Sequence, residues 1–113
     1  MNKRTAGDKN EQLACDFLEQ NGLRVLARNY RKRIGEIDII ARDGEYFVFI
    51  EVKYRAGTMQ GGAAYAISGK KKAIIRRVAQ WYMAEHRIPQ DALCRFDAVL
   101  IDGNIIRHVR NAW

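Results

Sequence analysis

The sequence has little of what disulfide-bonded, zinc-binding and membrane proteins depend on. Its two cysteines, Cys15 and Cys94, are far apart and form no CxxC pair. We therefore expect two reduced, buried side chains rather than a zinc site. The segment from Met1 to Lys9 is polar, unlike the core of a signal peptide, and no apolar run approaches the roughly 18 residues of a membrane span. These absences predict a cytoplasmic protein with no membrane segment.

Proline is also scarce, since Pro89 is the single one in the chain, and the sequence has no internal repeat or low-complexity tract. A chain of 113 residues has the length of one domain. It can bury roughly two-thirds of the surface that its unfolded form exposes. We therefore expect one domain over residues 1–113, with a core that needs neither a disulfide nor a structural metal.

Charge of one sign is in clear excess. The chain has 20 Lys and Arg residues against 13 Asp and Glu residues, which gives a net charge of +7 and a pI near 9.7. Such an excess indicates a polyanionic partner, and we expect nucleic acid, with DNA first. The alternative is a solvated basic surface that serves no partner.

Hydrophobic periodicity predicts two helices and five strands. The helices cover residues 7–20 and 70–86, and the strands cover 23–33, 35–41, 46–54, 95–101 and 105–109. The Arg-rich second half of the first strand is also compatible with a loop. The order αβββαββ predicts an α/β domain in which a central mixed sheet is covered by an N-terminal helix and a crossover helix.

The pair Asp43-Gly44 is typical of a two-residue hairpin turn, because both positions of that turn need positive φ. With these two residues as the loop, Asp38 lies opposite Phe49 and is a diagonal neighbour of Glu51, about 7–8 Å away at the backbone. Alternation along the strands then places four polar side chains on one face. They are Glu36, Asp38, Glu51 and Lys53.

The two faces of this hairpin differ in polarity. Ile37, Ile39 and Ile50 are among the apolar residues of the opposite face, which must pack against another layer. Phe47 and Phe49 share the polar face, so we expect the N-terminal helix to cover part of that face.

Two carboxylates that converge from neighbouring strands repel each other unless a cation or a proton lies between them. Mg²⁺ suits Asp38 and Glu51, because it prefers oxygen ligands and binds through one or two carboxylates, water and substrate phosphates. Lys53 would then hold the attacking water or stabilise charge on the phosphate. The alternative is an ordinary polar face of an amphipathic hairpin, with Lys53 paired to Glu51 or Glu36.

Several further side chains are candidate contacts to nucleic acid, and the densest group opens the second helix. Cations near a helix N-terminus oppose the helix dipole, so this group is not explained by helix stability. One of Lys71 or Lys72 is expected to point toward the carboxylates, whereas Trp81, Tyr82 and Phe96 have core spacing. The predicted contacts are Arg28, Arg31, Arg55, Gln60, Lys70, Lys71, Lys72, Arg76 and Arg77.

The hairpin also carries a family resemblance. Its two strands contain the residues Gly-Glu-Ile-Asp-Ile-Ile-Ala at 35–41 and Val-Phe-Ile-Glu-Val-Lys-Tyr-Arg at 48–55. They resemble the YraN-like family of small bacterial proteins, which is assigned to the restriction-endonuclease-like PD-(D/E)xK superfamily. The resemblance runs from about Gly7 to Val99 and is most specific over the hairpin.

The resemblance implies a role for each matching residue. Asp38 would bind metal, Glu51 and Lys53 would be the metal ligand and catalytic lysine of the ExK pair, and Glu11 would complete the site, as in the subgroup similar to archaeal Holliday-junction resolvases. Ile37 stands where the motif name has proline. Asn10 replaces the glycine often seen before this glutamate, which makes Glu11 the less secure match.

The function implied by the resemblance is an endonuclease that uses Mg²⁺ or Mn²⁺ to hydrolyse DNA, with branched DNA as one candidate substrate. A homodimer would fit the cutting of two strands. The alternative is a non-catalytic nucleic-acid-binding module in DNA repair, recombination or uptake, because superfamily members can lose activity and keep the fold.

Overall fold

The computed structural model of the chain describes residues 6–55 and 67–113. Within those ranges the elements follow the predicted order. They are α1 Ala6–Gln20, β1 Arg24–Lys32, β2 Gly35–Asp43, β3 Tyr46–Arg55, α2 Gly69–Glu85, β4 Cys94–Asp102 and β5 Ile105–Val109. α1 ends at Gln20 and is followed by Gly22, whose φ of +93° suits a glycine just beyond a helix end. α2 begins after Ser68, whose Oγ accepts the N–H of Lys71 at 3.1 Å, a common N-cap.

The five strands form one mixed sheet in the order β1-β2-β3-β4-β5. The β3 and β4 pair is parallel, and every other neighbouring pair is antiparallel. A parallel pair of strands needs a crossover connection, and α2 supplies it. The predicted α/β class, mixed sheet and crossover helix are therefore confirmed, and the Arg-rich second half of β1 is strand up to Lys32.

α1 covers one face of the sheet. Its buried residues Ala14 and Leu18 pack with Ile39 of β2 and with Val48 and Ile50 of β3. These five side chains are essentially inaccessible to solvent. The hydrophobic effect of burying such aliphatic side chains, about 1.5–3 kcal/mol each for the larger ones, holds α1 to the sheet.

α2 covers the other face, which corrects the expectation that the N-terminal helix would shield the phenylalanines there. Phe49 packs with Val78 and Tyr82 of α2, and the Phe49 and Tyr82 rings meet edge to face with centroids 6.2 Å apart. Ile37 also belongs to this cluster, whereas alternation predicts it beside Ile39 on the α1 face. The regular alternation of β2 therefore breaks between these two residues.

The turn between β2 and β3 lies one residue later than predicted. The loop residues are Gly44 and Glu45, and Gly44 has a φ of +59°, which glycine adopts without strain. Asp43 is paired with Tyr46 instead of lying in the loop. In the observed register each β2 residue meets a β3 partner two positions away from the predicted one. A shift of two positions keeps the faces of the β3 side chains as predicted.

The aromatic side chains of the crossover region differ from prediction at one position. Tyr82 is buried, and Phe96 stacks on Phe49 with a centroid distance of 5.5 Å. Trp81, which the spacing places in the core, is instead 53% exposed. One residue along a helix is a rotation of about 100°, which carries Trp81 from the buried face of α2 to its flank. Trp113 packs against Phe96 at 5.7 Å.

Both cysteines are free, as expected, with Cys15 buried and Cys94 half-buried. Neither described helix is long and apolar enough to cross a membrane.

Candidate functional site

The site begins where the β2 and β3 ladder ends. The last regular pair is Ile39 with Ile50. One residue further, Oδ2 of Asp38 accepts the N–H of Val52 at 2.8 Å, so that the carboxylate takes the place of a backbone acceptor. Strand N–H groups lie in the plane of the sheet. The Asp38 side chain is therefore turned toward β3, which accounts for the broken alternation at Ile37.

The Asp38 carboxyl group is in an environment that disfavours its charge. Burial, followed by the charge of Glu51, raises the pKa of Asp38 to about 7 from an ordinary 3.8, although the hydrogen bond from Val52 lowers it. Glu11 and Glu36 raise this pKa further, so both lie near it. Without a nearby cation, such a carboxyl group holds a proton near neutral pH.

Glu51 is the second carboxylate, and its side chain is only 5% exposed. It forms an ion pair with Nζ of Lys71 at the start of α2. Burial lowers the pKa of Lys71, but the hydrogen bond and the charge of Glu51 raise it by more. Lys71 is therefore a stable ammonium group. The sequence predicts that either Lys71 or Lys72 points toward the carboxylates, and the structure shows that Lys71 does.

The N-terminal end of α2 closes over this end of the sheet. An open pocket of about 520 Å³ lies between them. Its lining comprises Ile34, Gly35, Glu36, Asp38, Glu51, Val52, Ser68, Lys70, Lys71, Ile74 and Ile75. We call it the carboxylate pocket. A side chain at Gly35 would clash with Cγ2 of Ile74, so glycine at that position allows the close approach of α2. A helix N-terminus and two lysines beside a pocket favour the binding of an anion.

Lys53 is placed differently from its predicted partners. It lies on β3 opposite Leu100 of β4 and is absent from the lining of the carboxylate pocket. It makes no ion pair with any residue of 6–55 or 67–113. The amine that reaches Glu51 thus comes from the crossover helix instead of from the ExK strand.

The donor set of the pocket suits a hard cation. Among the described residues, no three His, Cys, Asp or Glu side chains are grouped so that they could hold a metal ion. Asp38 and Glu51 instead offer carboxylate oxygens from two strands, with Glu11 nearby on α1. Mg²⁺ binds through one or two carboxylates with water and phosphate oxygens, while zinc uses three protein ligands in catalytic sites and four in structural sites.

The basic residues of α2 do not share one surface. Successive residues are rotated by about 100°, so Lys70 and Arg77 lie on the β1 flank of the helix, while Lys72 and Arg76 lie on the β4 flank. Arg76 lies over the ring of Phe96 at 5.6 Å. Only Lys70 and Lys71 of this group line the carboxylate pocket.

The other predicted contacts are dispersed. Nη1 of Arg28 donates to Oε1 of Gln12 on α1 at 2.8 Å. Arg31 pairs with Glu36, a pocket residue, at 3.0 Å. The side chain of Arg55 and the whole of Gln60 lie outside the described residues.

The sequence reasoning missed a second carboxylate cluster, at the C-terminal edge. Fully buried Asp97 accepts hydrogen bonds from Nε and Nη2 of Arg95, both at 2.9 Å. It also accepts the N–H of Asn111 at 2.8 Å and contacts Nε2 of His108 at 2.7 Å. We call these four residues the Asp97 cluster. A lone acid within the apolar run of β4, with an arginine two residues earlier on the same face, is the signal that could have found it.

Comparison with known proteins identifies the family to which the chain belongs. A family model described as uncharacterised protein family UPF0102 matches residues 10–101. A UPF0102 protein of Lachnoclostridium phytofermentans is 42% identical over 113 residues, which are 100% of this chain and 96% of that protein. One of Shewanella loihica is 46% identical over 109 residues, covering 96% and 94%, and one of Nitrosomonas europaea is 45% identical over 115 residues, covering 96% of each. The chain belongs to the UPF0102 family.

Proposed function

We propose that the chain is a cytoplasmic, metal-dependent endonuclease with a restriction-endonuclease-like fold, which hydrolyses phosphodiester bonds of DNA. One observation carries the proposal: Asp38 and Glu51, from adjacent strands, meet at one pocket that lysines and a helix N-terminus also border. Carboxylates attract a divalent cation, and lysines attract a phosphate. Their combination in one pocket suits phosphoryl chemistry more closely than either does alone.

The proposed roles follow from position. Asp38 and Glu51 would hold Mg²⁺ or Mn²⁺, with Glu11 contributing from α1. The bound metal would supply an activated water and a charge that stabilises the phosphorane-like transition state. Lys70, Lys71 and the first turn of α2 would bind the phosphate on the open side of the pocket.

The catalytic amine has two candidates. Lys53 is the choice that the motif resemblance implies, while Lys71 is the ammonium group that contacts Glu51. We propose that Lys71 leaves Glu51 for the substrate phosphate when a divalent cation takes its place beside the carboxylates. Lys53→Met and Lys71→Met distinguish the two, since only the variant that lacks the catalytic amine should lose the chemical step.

Purified protein should be tested for cleavage of plasmid DNA and of a labelled four-way DNA junction, with Mg²⁺, Mn²⁺ or EDTA. Asp38→Asn and Glu51→Gln are expected to lower the cleavage rate at least about 100-fold, because metal stabilisation of a transition state is worth several kcal/mol. DNA binding should persist. Glu45→Gln, in the exposed β2–β3 turn, and Asp91→Asn, also exposed, are matched controls that should cleave normally.

A direct measurement of metal binding gives a second readout. Titration with Mn²⁺, followed by electron paramagnetic resonance, should show binding to the wild type that is lost in Asp38→Asn and Glu51→Gln. Equal cleavage by the wild type and both variants would count against the carboxylate pocket as the active site.

The second candidate function is a non-catalytic DNA-binding module. The ion pair of Lys71 with Glu51 favours it, because that ammonium group already neutralises one of the two carboxylates. This candidate predicts salt-sensitive DNA binding with no cleavage under any divalent metal and no Mn²⁺ binding at the pocket.

A further inference from the structure

The side chain of Trp81 is exposed in a basic part of the surface. It is 53% exposed, although its immediate neighbour Tyr82 is buried. A single exposed apolar side chain is common on protein surfaces and does not by itself indicate a function. Its surroundings are therefore what decides whether this ring has a partner.

Trp81 lies in line with the carboxylate pocket. Lys70, Ile74, Arg77 and Trp81 are spaced by three or four residues and so follow one flank of α2. We call this row the Trp81 stripe. Lys70 and Ile74 line the carboxylate pocket, and seven residues separate Ile74 from Trp81, which is about 10 Å along the helix axis. The distance corresponds to a few nucleotides of a strand, given about 3.4 Å per phosphate along a duplex strand.

The surroundings of Trp81 are cationic. Nζ of Lys32 on β1 lies 5.6 Å from the centre of the Trp81 ring. Glu85, one turn further along α2, forms an ion pair with Lys32 and accepts the hydroxyl of Tyr30. The charges of Lys32 and Glu85 offset each other, so the net positive charge near the ring comes from Arg77. Arg77, on the same stripe, is exposed. An accessible aromatic ring in line with Arg77 and Lys70 matches a nucleotide, which offers a base to stack and a phosphate to neutralise.

The isolation of the ring argues against a protein partner. Trp81 is the one large apolar side chain of α2 that is exposed, and every position of α2 is described. A docking surface for a protein has a contiguous apolar centre depleted of charge. The Trp81 stripe has one ring flanked by charge instead.

We propose that Trp81 is a stacking platform for an unpaired base of the DNA strand that enters the carboxylate pocket, with the phosphates of that strand along Lys70 and Arg77. This inference rests on the proposed function and names its substrate class: DNA with a single-stranded or splayed segment beside the bond that is cut. Fully paired DNA keeps its bases stacked on each other and cannot offer one to Trp81.

Tryptophan fluorescence tests the contact directly. The chain has two tryptophans, Trp81 and Trp113, so Trp113→Phe leaves Trp81 as the single reporter. Titration of that variant with a single-stranded oligodeoxynucleotide, in EDTA to prevent cleavage, should quench the emission strongly. A blunt duplex of the same length should quench it much less. The reciprocal variant, Trp81→Phe, should show no comparable quenching.

The affinity for single-stranded DNA is the second measurement that tests the proposal. Stacking of one base on an aromatic side chain is worth about 1–3 kcal/mol, so Trp81→Ala should weaken single-strand binding by about 5- to 150-fold. Trp81→Phe should recover most of that loss. Ile105→Ala is the matched control: Ile105 is 52% exposed and lies on β5, at the opposite edge of the sheet from β1, so its removal should leave binding unchanged.

The outcomes separate this inference from the proposed function. Quenching at Trp81 with no metal-dependent cleavage would overturn the nuclease and leave the platform standing. Cleavage that requires Asp38 and Glu51, but with unquenched Trp81 and full binding by Trp81→Ala, would overturn the platform alone. Absence of any DNA binding overturns both, and equal quenching by duplex and single strand overturns the assignment to an unpaired base.

Discussion

Asp97, in the Asp97 cluster, and Asp38, in the carboxylate pocket, lie in one sheet but in opposite electrostatic environments. Burial alone would raise the pKa of Asp97, but hydrogen bonds from His108, Arg95 and the Asn111 N–H hold it below its ordinary value. In the carboxylate pocket, burial and Glu51 raise the pKa of Asp38 instead. The Asp97 cluster supplies enough donors for its charge, whereas Asp38 has one backbone donor and several acidic neighbours.

The difference separates a structural acid from a candidate functional one. A fully satisfied buried carboxylate stabilises the fold and has no capacity left for a ligand. An under-compensated carboxylate such as Asp38 costs stability and retains affinity for a cation, which is typical of functional sites. The same residue types thus indicate different roles once their donors are counted.

The largest expected effect is the loss of the Asp97 cluster. Asp97→Ala leaves His108 without this acceptor and leaves Arg95 with Asp43 alone, at 3.0 Å. We expect a loss of about 3–5 kcal/mol in the free energy of unfolding, the range for breaking a buried ion pair. Urea unfolding at pH 7 measures it, with exposed Asp91→Ala as control. Because the pKa of Asp97 is lowered by folding, its contribution is present above pH 3.8 and is lost as the pH falls further. Equal unfolding free energies for both variants would contradict the structural role.

Removal of the Asp38 charge should stabilise the fold at neutral and higher pH, whereas removal of Asp97 should destabilise it. An aspartate whose pKa is raised by folding stabilises the fold only while protonated, so this contribution is complete below pH 3.8 and is lost as the pH rises through about 7. Asp38→Asn keeps an oxygen for the Val52 N–H and carries no charge.

We therefore expect Asp38→Asn to be more stable than the wild type at pH 8, by on the order of 2–4 kcal/mol, and equally stable near pH 4. Denaturant unfolding at both pH values measures the difference. A variant less stable than the wild type at pH 8 would show that the Asp38 charge is compensated after all.

Removal of the Lys71 ammonium group sharpens the comparison by making Glu51 resemble Asp38. Lys71→Met leaves a buried carboxylate without its ion-pair partner, and we expect destabilisation of about 1–3 kcal/mol, moderated because Lys71 itself is about half-exposed. Lys72→Met is the matched control on the other flank of α2. Thermal unfolding with and without Mn²⁺ should show a larger metal-induced increase in Tm for Lys71→Met than for the wild type. The same increase in both would argue that Lys71 and the metal do not compete.

The smallest effect is expected at the rim of the carboxylate pocket. Arg31 and Glu36 form an exposed ion pair at 3.0 Å, and such pairs contribute about 0.2–1 kcal/mol at most. Arg31→Gln should change the free energy of unfolding by no more than this, and the change should vanish in 1 M salt. A larger loss that persists in salt would mean that Arg31 has a packing role.

Much of the fold was predictable because its signals are local. The helical spacing of α1 and α2 and the alternation of β2 and β3 were sufficient for the element order. Asp38 and Glu51 line one pocket, but in a register two positions away from the predicted one. The turn was placed one residue early, because Asp43-Gly44 and Gly44-Glu45 are both acceptable two-residue loops and local sequence does not choose between them. The pairing of β2 with β1 and of β3 with β4 chooses between the two loops.

The sequence by itself determined the element order, the basic character and the presence of two acids on adjacent strands of one hairpin, since these follow from side-chain period and from charge. The tertiary structure alone decided which lysine meets Glu51, that Lys53 lies outside the pocket, that Asp97 is satisfied and that Trp81 is exposed. Each of these depends on how α2 or β5 packs against the sheet. That packing sets the contacts between residues distant in sequence. The hydrophobic period of a single helix or strand carries no information about it.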